Sequence, residues 1–138
     1  MAPYPRIVRV LFLVTRLPYP PRRGDQVRAY HHLRHLARRH EVICCLVGSP
    51  PAAVDVAAVA ALGVVVEVIP VRRPTAVTRM GSALWDRRPL QALPAASPRA
   101  RSLVAELAEG VDVVHAQLVR TGPLVEDLER FHRSGVLF

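Results

Sequence analysis

The sequence predicts an α/β fold, an open parallel sheet with helices on its faces, and three observations carry that expectation. Strand-like and helix-like segments alternate from the N-terminus with short connections. The first strand-like run, IVRVLFLV, is almost continuously apolar, as a strand buried on both faces must be. The apolar residues are chiefly Val, Leu and Ala, and only 5% of the chain is aromatic, which suits layered helices and sheet better than a β-sandwich. At 138 residues, 51% of them hydrophobic, the chain has material for one domain with a real core. A chain of this size buries roughly 65–70% of the surface its unfolded form exposes.

The elements follow in order. Ile7 to Val14 is the first strand, and Thr15 to Gly24 a Pro-rich loop, TRLPYPPRRG. Asp25 is placed to cap a helix running to about Arg39. In that helix Val27, Tyr30, Leu33 and Leu36 or Ala37 make one apolar stripe, leaving Arg28, His31, His32, His35 and Arg38 or Arg39 to other faces. Glu41 to Val47 is the second strand, broken by GSPP. Ala52 to Leu62 is an Ala/Val-rich helix, and Val64 to Ile69 the third strand. Pro70 to Pro98 carries five prolines and two short helical stretches, around Ala76–Trp85 and Leu90–Ala95. Arg99 to Glu109 is a helix with Leu103 and Leu107 one turn apart, ended by Gly110. Val111 to Ala116 is the fourth strand, Pro123 to Arg133 a helix, and Val136 to Phe138 the start of another strand. This order predicts parallel pairing with right-handed crossovers.

The net charge is +8, and all nineteen basic residues are Arg. Two readings stand: a solvated surface written by a GC-rich code, or an anionic partner. No helix-turn-helix, zinc-finger or aromatic RNP pattern is present, so nucleic acid is not the expected partner. The only cysteines, Cys44 and Cys45, are adjacent on a strand and point to opposite faces. They fit neither a disulfide framework nor a CxxC site, and buried thiols in a reducing compartment are expected. The longest charge-free apolar run, Val56 to Val66, falls well short of the ~20 residues that span a bilayer.

In an open parallel sheet, ligands sit beyond the carboxyl ends of the strands. One such place is Arg22-Arg23-Gly24-Asp25 at the opening of a helix. Unpaired N–H groups and the helix dipole favour an anion there. Gly24 is then either a point of close phosphate approach or a turn residue before a cap. No GxGxxG or P-loop is present. The other place is Asp112-Val113-Val114-His115, followed by Gln117 and Arg120. His115 there is either an acid, base or hydrogen-bonding group for a ligand, or a histidine bonded into the sheet edge. His31 and His35 share the i, i+4 spacing of helical metal ligands, but no third ligand is evident and a solvated basic face accounts for them. Trp85 reads as core or a loop anchor.

The stretch RVLFLVTRLPYPPRRGDQVRAYHHLRHLARRHEV resembles the opening of family 4 retaining glycosyltransferases, which have the two-Rossmann-domain GT-B fold. Within them it is most similar to bacterial sugar transferases associated with exopolysaccharide and PEP-CTERM gene clusters. The matching positions are Leu17 to Pro21, Gly24, Asp25, Arg28, Tyr30, His31 or His32, Leu33 and Leu36. VDVVHAQLVRTGPLVE resembles the family's later DVVH-x-Q-L-x-R segment. Together the two matches touch most of the chain, while Pro50 to Pro98 agrees only in pattern.

The resemblance implies transfer of a sugar, with retained configuration, from a nucleotide-sugar to a glycan or lipid-linked acceptor. It implies no cofactor and no bound metal. Residues 1–138 would form a single, incomplete Rossmann-like acceptor-side domain, the truncated N-terminal half of a GT-B fold, without the C-terminal donor-binding domain. In relatives the glycine loop after the first strand lies near the donor phosphates. That role carries to Gly24, with Asp25 beside it where many relatives have a second glycine. The histidine ending the fourth strand lies near the reacting sugar, which makes His115 the expected catalytic-site residue, in a positioning or polar-stabilising role. Arg28, Gln117 and Arg120 are the further substrate-binding candidates. The expected setting is cytoplasmic, with peripheral contact to an anionic membrane at its inner face. Without the second domain's basic pair and Glu-x7-Glu element, the departing diphosphate lacks its main stabilisers, so the chain alone is expected not to turn over. The alternative is a standalone, non-catalytic half-Rossmann module that binds a ligand or a partner.

Overall fold

The computed structural model describes residues 6–71, 97–126 and 128. Within them four strands form one all-parallel sheet: β1 (Arg9–Val14), β2 (Glu41–Gly48), β3 (Val65–Pro70) and β4 (Val113–Ala116), in the spatial order β3-β2-β1-β4. The strands alternate with helices α1 (Gly24–Leu36), α2 (Ala53–Ala60) and α3 (Pro98–Glu109). After β4 come a 3₁₀ turn, Val119–Thr121, and the short α4 (Gly122–Val125). This is the Rossmann-like α/β arrangement that the alternation predicts. The short helices expected between Pro70 and Pro98, the end of the helix expected to Arg133 and the strand at Val136 to Phe138 lie outside the described residues.

The sheet is central because β1 can be buried on both sides. Leu11 and Leu13 point into one core with Cys45, Val47, Val114 and Ala116, closed by Ala100, Val104 and Ala108 of α3 and by Leu124 and Val125 of α4. Val10, Phe12 and Val14 point the other way, against Val42, Cys44, Leu46, Ala29 and Leu33 of α1 and Val59 of α2. Cys44 and Cys45 therefore do face opposite layers. Both are free thiols, and burial first of all pushes each up to about 12, with Cys45 adding to the effect at Cys44 and Glu67 to that at Cys45. Neither is a thiolate near neutral pH, so neither is a nucleophile.

Of the stripe expected on α1, Val27 alone departs from the packed face. In α1 the buried residues are Ala29 and Leu33, with Tyr30, Leu36 and Ala37 partly covered, while Val27 is exposed. Small Ala29 lets the helix approach the sheet closely, and that rotates Val27 outward. In α3 the buried line is Ala100, Val104 and Ala108, with Leu103 and Leu107 at its flank. Small residues again take the sheet-facing line, and the leucines reach in from the side.

At the carboxyl edge, β1 and β2 end in close contact. A Cβ on Gly48 would lie 3.0 Å from the Thr15 carbonyl oxygen. The obstacle is backbone, which cannot swing aside. Gly48→Ala is therefore expected to lose about 1–3 kcal/mol, read as a lower urea midpoint at unchanged m-value. A variant as stable as the parent would mean that the strand ends are not this close.

Candidate functional site

The carboxyl edge gathers residues from both ends of the described chain. The ladder continues past β4 through the Gln117 N–H, which donates to the Leu13 carbonyl at 3.0 Å. Leu118 then takes a left-handed conformation, φ +69°, which a branched L-residue adopts at a cost of ~1–2 kcal/mol. The turn is held from within: the buried Thr121 hydroxyl donates to the Leu118 carbonyl at 2.8 Å, and the Thr121 N–H reaches the same oxygen at 3.1 Å. This sharp reversal returns Arg120 to the start of α1.

There Arg120 Nη2 donates to Asp25 Oδ2 at 3.4 Å, and Arg16 Nη1 donates to the same oxygen at 3.1 Å. Asp25 is thus not the helix cap. Arg23 occupies the cap position, extended and without a side-chain cap bond, and the helix begins at Gly24. The Asp25 carboxylate sits in the first turn, where the helix dipole favours it, and joins the loop after β1 to the segment after β4. One carboxylate between two guanidiniums leaves the trio at net +1, and Arg22, Arg23 and Arg28, close to Asp25 in sequence, are exposed. The edge as a whole favours an anion.

Gly24 stands at the uncapped helix start, and a Cβ there would meet nothing within 4 Å. The fold does not require glycine at this place. Gly24→Ala is accordingly expected to keep or gain stability, by up to ~1 kcal/mol, while weakening any phosphate that approaches the backbone roughly tenfold, the loss of about one charge-assisted hydrogen bond. Inorganic diphosphate titrated into both proteins checks this. Equal affinity would remove Gly24 from the site.

His115 ends β4 directly opposite Phe12 in the β1 register, and the two rings stack at 4.4 Å between centroids with 7° between planes. Its Nε2 lies 3.0 Å from Oε1 of Gln117, so the tautomer that fits carries the proton on Nε2 and donates it. Gln117 is itself buried, at 7% exposure, which fixes the acceptor. His32 of α1 meets the His115 ring edge to face, 5.9 Å between centroids.

Of the expected site residues, the structure brings Asp25 onto Arg120 and His115 onto Gln117, all at one edge with Gly24. Arg28 is exposed on the flank of α1, where its charge acts on His32. Asp112 lies at the opposite edge: its Oδ2 accepts the Arg9 backbone N–H at 2.9 Å, beside an exposed Arg9–Glu41 ion pair. It is a strand tie and no part of the site. Among the described residues no three His, Cys, Asp or Glu side chains gather as metal ligands would, and His31 and His35 stay exposed. No described helix is long and apolar enough to cross a membrane.

Three participants escape a reading by spacing: Arg16, Phe12 and His32. Arg16 follows β1 by two residues and could be suspected from its place at the ligand edge. Phe12 needs the β1–β4 register, and His32 needs the true rotation of α1. No family model, curated protein or solved structure matches this chain.

Proposed function

We propose that this chain is the acceptor-side domain of a family 4 retaining glycosyltransferase, moving a sugar from a nucleotide-sugar to a glycan or lipid-linked acceptor in exopolysaccharide or cell-envelope glycan synthesis. The observation that carries the reading is the Asp25–Arg120 contact, 95 positions apart in sequence. It joins the two segments on which the family resemblance rests at the edge where a parallel sheet binds its ligands.

In this reading the uncapped start of α1 and its surrounding arginines face the donor phosphates, with Gly24 admitting them to the backbone. His115, held by Gln117 and backed by Phe12, orients a sugar hydroxyl. No protein nucleophile is assigned, and the donor's departing diphosphate needs a second, donor-binding domain for most of its stabilisation. The outward residues of α1, Arg28, His31, Arg34 and His35, with Arg38 and Arg39 in the turn after it, support peripheral contact with an anionic membrane face.

The test is a titration of the isotopically labelled 138-residue chain with UDP- and GDP-hexoses and with a short-chain polyprenyl diphosphate sugar. Amide shifts confined to Gly24–Arg28 and His115–Arg120 are expected. Binding of the acceptor with no response to any nucleotide-sugar, even after a donor-binding domain is joined, would favour the non-catalytic binding module. No response to either class would end the proposal.

A further inference from the structure

We propose that His32 is a positioning residue for His115, its ring standing edge-on against the His115 ring. The inference stands on ring geometry and holds whether or not the chain serves a sugar transferase.

The His115 ring is confined from three sides. The fully buried Phe12 ring covers one face, Gln117 holds Nε2, and the His32 ring stands against it at 84°. His32 is brought there by the seating of α1. It follows Ala29 by three positions and precedes Leu33 by one, and those two are the buried residues of the helix. His31, on the next face, meets Tyr30 instead. His32 is therefore the residue of the His-His pair that the helix aims at the sheet edge.

His32 is exposed overall, but partial burial of its ring, then His115 across from β4, then Arg28 and His35 on its own helix, hold it below the ordinary 6.5. Near neutral pH His32 is neutral and can lie against His115 without charge repulsion. A charge on His115 would disfavour a charge on His32. The sign follows: the unfolded chain binds the His32 proton more readily than the folded one, so the fold loses stability as pH falls through 6.5 toward the lowered value.

The experiment is an imidazole titration of the whole chain by heteronuclear NMR. Expected are cross-relaxation between the His32 and His115 ring protons and a His32 midpoint below the ordinary 6.5. His115→Gln should move the His32 midpoint upward, and His35→Gln should move it less. His32→Gln should loosen the His115 ring, read as weaker cross-relaxation between the His115 and Phe12 ring protons at an unchanged urea midpoint, a readout that loss of packing elsewhere would not produce. Absence of that cross-relaxation, or a midpoint unmoved in folded His115→Gln, overturns the proposal. If His115→Gln does not fold, cross-relaxation in the unaltered chain decides by itself.

Discussion

Phe12→Ala is expected to remove about 3–5 kcal/mol of folding stability, a large part of the ~5–15 kcal/mol that holds a domain of this kind together. Phe12 is fully buried at the centre of β1, between β2 and β4, in the core shared with α1 and α2. Truncation leaves a cavity that paired strands on both sides cannot close. The same ring is the backing of His115, so the change strikes core and site together. Phe12→Leu separates the two effects. It nearly conserves volume and should cost less than about 1.5 kcal/mol, yet it removes the stack. In that variant the His115 ring protons should lose their upfield ring-current displacement while the urea midpoint moves little. A His115 spectrum unchanged in Phe12→Leu would refute the stacked arrangement.

Asp25→Ala should act at the other half of the site. It leaves Arg16 and Arg120 facing each other with no counter-charge. The three side chains are 21–34% exposed, so solvent screens part of the effect, and the expected loss is about 1–2 kcal/mol. It should shrink as salt is raised. A double-mutant cycle with Arg120→Gln should return a coupling of ~0.5–1 kcal/mol. The trio's charge also rises from net +1 to +2, since one carboxylate is lost from between two guanidiniums. Inorganic diphosphate should then bind more tightly to the variant than to the parent. Unchanged stability together with unchanged diphosphate affinity would mean that Asp25 neither ties the two segments nor tunes the edge.

The elements were legible because each is announced locally. Runs of Val, Ile and Leu mark β1, β2 and β3, Gly110 marks the end of α3, and the short connections force parallel neighbours. The opposed faces of Cys44 and Cys45 follow from strand alternation alone. Helix rotation was less legible. Val27 looks like core on a helical wheel, but the sheet selects Ala29, because close packing against a flat surface rewards small or compact side chains over larger apolar ones. Asp25 looks like a cap and is instead a bridge, because the helix starts one residue earlier and two arginines compete for its carboxylate.

What the sequence by itself determined is therefore the α/β class, the order of its elements and the two segments near which a ligand edge would form. These depend on periodicity and on turn chemistry, which are properties of neighbours along the chain. What only the tertiary structure decided is which side chains meet at that edge: Arg120 with Asp25, Phe12 behind His115, and His32, not His31, beside it. Those meetings depend on strand register, on the left-handed turn at Leu118 and on the rotation of α1. Each of these is set by packing between residues far apart in the chain, where no local pattern reaches.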